Sequence, residues 1–245
     1  MCGIAGFCLN RNEKVDAVAL SKALLGQIIQ RGTDATGAAW VIPSSHSKDK
    51  KATIAVSKAP VPASSFGQYM TSMPQDAQRV ILHTRLATQG SPENNLNNHP
   101  IISGGIVGVH NGGVRNDDEV FQHIRAPRLG QVDSEAAFAL LAHTTYHPKD
   151  VLASLQGRVA LAWLNARDKR DLSLCRVAGS PLAIGQTAKG SFIFASTMPL
   201  LVNACAKTDV ELRWVEEISE MTYLRVRNGE IMELETIGAS LKEIV

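Results

Sequence analysis

Met1-Cys2-Gly3-Ile4-Ala5-Gly6-Phe7 opens the chain, and Cys2 is its most telling residue. Initiator methionine is normally removed when the second residue is small, so the expected mature chain begins with Cys2. That residue then carries a thiol with an unperturbed pKa of about 8.5 beside an α-amine of about 7.7–8.0, a base at neutral pH. A nucleophile with its base on the same residue is one route to covalent catalysis. The competing reading is a small buried hydrophobe at the start of a strand, a common fate of free cysteine. Residues downstream decide between the two.

At 245 residues the chain fits one domain, residues 1–245. Apolar residues make up 44% and charged residues 20%, which suits a sizeable core in water. A net charge of +2 gives no case for a nucleic-acid or membrane partner. The densest basic run, Lys48-Asp49-Lys50-Lys51, sits among serines and a histidine and reads as a solvated loop. Apolar stretches near 101–109 and 159–164 are too short to span a bilayer. No basic segment leading into an apolar core opens the chain, so the expected location is the cytoplasm. The four cysteines, Cys2, Cys8, Cys175 and Cys205, show neither CxxC pairing nor a zinc-type histidine spacing. Cys2 and Cys8 are an even number apart and share one face of a strand, while Cys8, Cys175 and Cys205 are expected as reduced core thiols. No metal or other cofactor is implied.

Cys2 to Leu9 reads as a short buried strand. Residues 15–30 carry Val18, Leu20, Leu24, Leu25 and Ile28 at helical spacing and stop near Arg31-Gly32. Residues 37–42, 52–57 and 79–84 read as strands, 64–73 as a helix, and 85–100 as a long polar loop of the kind that is more often functional than idle. Ser103-Gly104-Gly105 turns into a strand over 106–110, and 115–125, 134–146 and 149–156 read as helices. Strands over 158–165, 171–177, 182–187, 191–195, 212–215, 221–227 and 230–235 follow, interrupted by a helix at 198–206. Asn165-Ala166-Arg167-Asp168, Ala188-Lys189-Gly190 and Asn228-Gly229 supply hairpin turns. Runs of strands at both ends with helices between them imply an α+β protein.

Four segments pair chemically active residues with turn residues: Arg31-Gly32-Thr33-Asp34-Ala35-Thr36-Gly37; His83-Thr84-Arg85-Leu86-Ala87-Thr88-Gln89-Gly90; Asn97-Asn98-His99-Pro100 followed by Val109-His110-Asn111-Gly112-Gly113; and Asp133-Ser134-Glu135. Taken singly each has a plain reading. Asn111-Gly112 is the signature of a type I′ hairpin turn, Arg85 a surface ion pair, Asp133 a helix N-cap, and His99 a packed loop histidine.

Together with the N-terminal heptapeptide, and in this order, the segments resemble the glutaminase domain of class II glutamine amidotransferases. That family includes the glutaminase halves of glucosamine-6-phosphate synthase, PRPP amidotransferase, asparagine synthetase and glutamate synthase. Gly179-Ser180-Pro181-Leu182-Ala183-Ile184-Gly185 and Phe194-Ala195-Ser196-Thr197 fit as well, so the resemblance runs from Cys2 to about residue 235. It implies a four-layer α/β/β/α sandwich of N-terminal nucleophile hydrolase type. It also implies hydrolysis of the glutamine side-chain amide. By resemblance, Cys2 attacks the carboxamide carbon and its α-amine shuttles the proton; ammonia leaves and water releases glutamate from the thioester. Asn111 and the Gly112 N–H match the oxyanion hole, where glycine lets the backbone approach the substrate. Arg85 matches the arginine that binds the glutamine carboxylate, and Asp133 the acid that receives the α-ammonium. Thr88 and His99 match residues that line or order the pocket, and Arg31-Gly32 the segment that supports the nucleophile.

The chain departs from the family at Leu86, where several members have an aromatic residue, and at Gln89, where histidine is frequent; both imply altered pocket packing or lid behaviour. His110 before Asn111 follows many relatives. The expected partner, besides glutamine, is a separate synthase or transferase subunit that receives the ammonia, with a free-standing hydrolase as the other option. A non-catalytic glutamine sensor or assembly subunit, and an amidase for another γ-glutamyl substrate, stay open as alternatives.

Overall fold

The first strand, β1 (Gly3–Cys8), shows how the chain is layered. In the computed structural model, which describes residues 1–46 and 51–238, its side chains divide between two apolar layers. Ile4 and Cys8 enter one, and Ala5 and Phe7 the other. A strand buried on both faces must be central to a sheet covered on both sides. β1 pairs antiparallel with β4 (Arg79–Arg85) and with β10 (Phe192–Ala195). β2 (Ala35–Ile42) and β3 (Thr53–Ala59) extend the sheet past β4, while β9 (Ala183–Thr187) and β11 (Leu212–Glu217) extend it past β10. The seven-strand order is β11-β9-β10-β1-β4-β2-β3.

A second, six-stranded antiparallel sheet has the order β13-β12-β8-β7-β6-β5. Its strands are β5 (Ile101–Ser103), β6 (Ile106–Val114), β7 (Gly157–Asn165), β8 (Asp171–Ala178), β12 (Thr222–Arg227) and β13 (Glu230–Thr236). Val107 and Val109 of β6 and Ala160 and Ala162 of β7 meet Ile4, Ala39 and Ile81 of the first sheet in the shared apolar layer. Helices cover the outer faces. α1 (Ala17–Ile28) and α5 (Met198–Ala206) lie on the first sheet. α2 (Asp117–Ile124), α3 (Ser134–His143) and α4 (Pro148–Leu152) lie on the second. The result is the expected α+β architecture, a four-layer α/β/β/α sandwich.

α1 forms where the apolar spacing placed it. Leu20, Leu24 and Ile28 recur every four residues on its buried face, and Asp16 caps its start by accepting from the Val18 and Ala19 N–H groups at 2.9 Å. Other expectations shift. Residues 64–73 form a 3-10 helix over Ala63–Met70 rather than an α-helix, and the helix expected over 149–156 ends at Leu152. The strand expected over 106–110 runs on to Val114, and Ile101–Ser103 joins it as a hairpin around Gly104 and Gly105. The 85–100 segment holds one short 3-10 turn, Asn95–Asn97. Lys48, Asp49 and Lys50 of the expected solvated loop lie outside the described residues. All four cysteines are unpaired. Among the described residues no helix is long and apolar enough to cross a membrane.

Phe7 is fully buried on the helix-facing side of β1. Phe7→Ala is expected to cost about 3–5 kcal/mol through lost transfer energy and a residual cavity, read as a fall in the urea midpoint with the slope unchanged.

Candidate active site

The inter-sheet layer opens at one end into a cleft of about 510 Å³, and the lining includes Cys2, Leu86, Thr88, Asn111, Gly112 and Arg158. The register explains why these residues meet. Cys2 continues the side of β1 that carries Ile4 and Cys8 into the shared layer. Asn111 continues the side of β6 that carries Val107 and Val109. The alternation of the two chains therefore delivers both residues to one opening.

Cys2 is half-buried, and its thiol donates to the Leu86 carbonyl at 3.7 Å. Burial pushes the thiol pKa above its ordinary value, against smaller downward pulls from the Leu86 backbone and the N-terminal charge. The resting group is thus a thiol that needs a base. Arg31, in the 3-10 turn Ile29–Arg31, holds the nucleophile's backbone by donating from Nε to the Cys2 carbonyl at 2.9 Å. Gly32 presses on the Arg85-Leu86 peptide so closely that a Cβ there would meet backbone atoms. Asp34, singled out by no residue signal, clamps the same segment. Its N–H donates to the Arg85 carbonyl at 2.9 Å, and its Oδ2 accepts from the Ala87 N–H at 2.7 Å.

Asn111 and Gly112 do not form a hairpin turn. They lie within β6, opposite Ala160 and Val159 of β7. Gly112 has φ +139°, and a Cβ on it would run into the Arg158 carbonyl, so the position requires glycine. The Asn111 side chain is buried, and neither its Oδ1 nor its Nδ2 has a hydrogen-bond partner. A buried amide left unpaired costs about 1–3 kcal/mol, and such groups mark places where structure has been arranged for something other than stability.

Arg85 and Asp133 flank this opening without lining it. Arg85 Nη1 donates to Asn98 Oδ1 at 2.8 Å, and Nη2 donates to the Gly90 carbonyl at 2.8 Å and to the Gln89 carbonyl. Three bonds leave two of the five guanidinium N–H donors for another acceptor. The plain reading of Arg85 as a surface ion pair does not hold: it is buried and bonds to no carboxylate. Asp133 stands at the N-cap position of α3 but makes no side-chain cap bond. Its Oδ2 instead accepts from the Val114 N–H at 2.5 Å. Gln89 ties the loop to this acid, since its Oε1 accepts from the Asp133 N–H at 3.2 Å. Thr88 lines the cleft itself.

His99 sits behind the cleft. Its ring stacks on His83, with centroids 4.1 Å apart, and both its nitrogens are buried without partners. His83 Nε2 donates to the His110 carbonyl at 3.1 Å, and His110 Nδ1 meets Ser134 Oγ at 2.8 Å. Burial holds all three imidazoles neutral: His83 is pushed down to about 3, His99 well below its ordinary value, and His110 down despite the Asp133 charge. In the unfolded chain each takes a proton as pH falls through about 6.5. The unfolded state then binds more protons than the folded one. Stability present above that pH is expected to fall below it, by up to about 1.4 kcal/mol per histidine for each pH unit. Urea midpoints at pH 7.5 and pH 5 check this, and equal midpoints would contradict it.

Arg115 and Arg158 also line the cleft and escaped the sequence reading. Each looks like an ordinary surface arginine until the β6–β7 register sets Arg158 beside Gly113. Among the described residues no group of three His, Cys, Asp or Glu side chains is placed to hold a metal ion. The site thus joins a thiol, an unpaired carboxamide beside a glycine, and a flanking arginine and aspartate.

Comparison with known proteins points the same way. Residues 83–203 match the family described as "Glutamine amidotransferase domain". The glutamine–fructose-6-phosphate aminotransferase (isomerizing) of Pseudomonas putida is 30% identical over 213 residues, which cover 82% of this chain and 32% of that protein. The corresponding enzyme of Xanthomonas campestris is 34% identical over 134 residues, 50% of this chain and 21% of that one. The solved glutamine PRPP amidotransferase from B. subtilis, in complex with ADP and GMP, superposes over 97% of this chain and 49% of its own, with TM-score 0.74 at 16% identity. The chain therefore spans about a third of the length of the curated relatives it matches over most of its own length.

Proposed function

This chain belongs to the class II glutamine amidotransferases of N-terminal nucleophile type, and we propose that it hydrolyses the side-chain amide of glutamine to glutamate and ammonia. One observation carries the reading: the Cys2 thiol shares a cleft with a buried Asn111 carboxamide that has no protein partner. A nucleophile facing an unsatisfied donor is the arrangement that a tetrahedral oxyanion needs.

In this reading Met1 is removed, and the Cys2 α-amine takes the thiol proton as Sγ adds to the amide carbon. The developing oxyanion is held by Asn111 Nδ2 and the Gly112 N–H. The C–N bond breaks, the amine passes its proton to the departing ammonia, and water cleaves the thioester to glutamate. Arg85 uses its two remaining N–H donors on the substrate carboxylate, and Asp133 Oδ1 faces the α-ammonium. Thr88 lines the pocket. His99 orders the loop that carries it through the stack on His83, and Arg31 and Gly32 fix the nucleophile's backbone.

We further place the ammonia acceptor on a separate synthase or transferase subunit. In the aminotransferase relative of Pseudomonas putida the matching region makes up 32% of a longer protein. Residues 1–245 act here as one glutaminase domain, and the buried unpaired Cys8, Cys175 and Cys205 suit the reducing cytoplasm. The two sheets share one core.

The test is glutamate release from glutamine by the purified protein, with asparagine as control; turnover of asparagine at a similar rate would sink the assignment of the amino-acid end. Asp133→Asn keeps an oxygen for the Val114 N–H but removes the charge. It is expected to raise KM for glutamine about 10–100-fold, the worth of one charge-assisted hydrogen bond, with a smaller change in kcat. Unchanged steady-state parameters would remove Asp133 from substrate binding.

A further inference from the structure

Glutamine recognition leaves two cations at the mouth of the cleft without a task. Arg115 and Arg158 both line it, and both are exposed. Neither forms an ion pair among the described residues, and the acids placed at this end of the layer have other partners. Asp133 is held by the Val114 N–H, and Glu220 by the Gly179 N–H at 2.8 Å and by Arg176 at 3.7 Å. Arg158 Nη2 touches Met1 Sδ at 3.3 Å and the Gly179 carbonyl at 3.4 Å. The first of these contacts leaves with Met1, so processing of the N-terminus frees Arg158 toward the cleft.

Their placement is set by the sheet. Asn111 and Gly113 alternate onto the same side of β6, Arg158 pairs with Gly113 across the ladder, and Arg115 follows directly on the end of the strand. Both arginines thus stand just outside the Asn111–Gly112 pair, at the open end of the layer. The backbone beneath them is tied down. The Arg115 N–H donates to the Gln156 carbonyl at 2.7 Å, and Asn116 bridges to the Gln156 N–H and the Ser154 carbonyl at 2.9 Å each. The amino-acid end of the substrate goes to Arg85 and Asp133, and the oxyanion to Asn111. The amide nitrogen is then the polar substrate atom left to face the mouth. A cleft of about 510 Å³ is also larger than a primary carboxamide fills, and lies in the range that holds whole small ligands.

We propose that Arg158 and Arg115 form a subsite for a carboxylate borne on the amide nitrogen, so that the site accepts γ-glutamyl amides of amino acids as well as glutamine. The inference rests on the amidase reading above and specifies its substrate class. The planar guanidinium fork suits a carboxylate. The chemistry is unchanged: Cys2 Sγ bonds to the γ-carbonyl carbon, the C–N bond breaks, the amino acid leaves carrying the thiol proton, and water releases glutamate.

The test compares γ-glutamylglycine with γ-glutamylglycinamide, which differ in the terminal charge. In the N-terminally processed protein, kcat/KM is expected to favour the free acid by about tenfold or more, the effect of one hydrogen bond to a charged group. The ratio should shrink at high salt and approach one in Arg158→Gln and in the Arg158→Gln/Arg115→Gln pair. Because each ratio is internal to one protein, a general loss of activity in a variant does not mask it. Cleavage of glutamine with a ratio near one, or with neither dipeptide cleaved, would overturn the subsite and leave the glutaminase reading standing. A high ratio that persists in both variants would overturn the arginine assignment. Absence of Cys2-dependent cleavage of any of the three compounds would overturn both.

Discussion

Cys2→Ala is expected to lower glutamate release from glutamine by at least about 10³-fold, since removal of a covalent nucleophile is among the costliest single changes to an enzyme. The same substitution should barely alter stability. Cys2 precedes β1, is half-buried, and makes one weak thiol contact, to the Leu86 carbonyl. Its environment disfavours the thiolate, so little folding energy rests on its charge. Loss of activity with an unchanged melting temperature separates a chemical role from a structural one. A variant retaining a tenth of wild-type turnover would remove Cys2 from the chemistry and favour the sensor or assembly reading.

The second large effect is expected at Asn111. Asn111→Ala should reduce kcat by about 10²–10³-fold, or roughly 3–4 kcal/mol of barrier, the usual cost of one oxyanion donor. Stability should move the other way or stay level. The wild-type carboxamide is buried without a partner, and removing an unsatisfied polar group relieves a penalty of about 1–3 kcal/mol that offsets the lost packing. A merely structural asparagine would behave oppositely, with lost stability and intact turnover. Thermal melts beside steady-state kinetics therefore decide the role. Trade-offs of this sign are common where a site is arranged for function.

Some of this architecture was legible in the chain and some was not, for identifiable reasons. α1 and α5 could be read because Leu20, Leu24 and Ile28, and likewise Leu201 and Cys205, face a core at four-residue spacing. The hairpins after β7, β9 and β12 announce themselves through their turn residues. The 64–73 segment misled because Phe66 and Met70 have the same spacing, and such a short element does not distinguish an α-helix from a 3-10 helix. Asn111-Gly112 is more instructive. The dipeptide favours a turn locally, but β7 pairs with it on one edge, and the Arg158 carbonyl leaves room for nothing but glycine. Tertiary register overrode local propensity.

The site divides in the same way. Cys2, Arg85, Asn111, Gly112 and Asp133 were visible as an ordered set of motifs, and the fold brings them to one end of the inter-sheet layer. Arg115 and Arg158 carry no local signal, because an exposed charged residue looks the same in sequence wherever it points. The neutral histidine stack was equally hidden. Packing was the plain reading of His99, but nothing in the sequence reveals that His83, His99 and His110 are buried together.

The central claim is that the processed N-terminal cysteine carries the glutamyl group during turnover. Acid-quenching the protein during reaction with glutamine, followed by intact-mass and peptide mass spectrometry, tests it directly. The expected result is a chain lacking Met1 that bears one γ-glutamyl group on the peptide beginning with Cys2, absent from Cys2→Ala. A glutamyl group on any other residue, or turnover by protein that retains Met1, would contradict it.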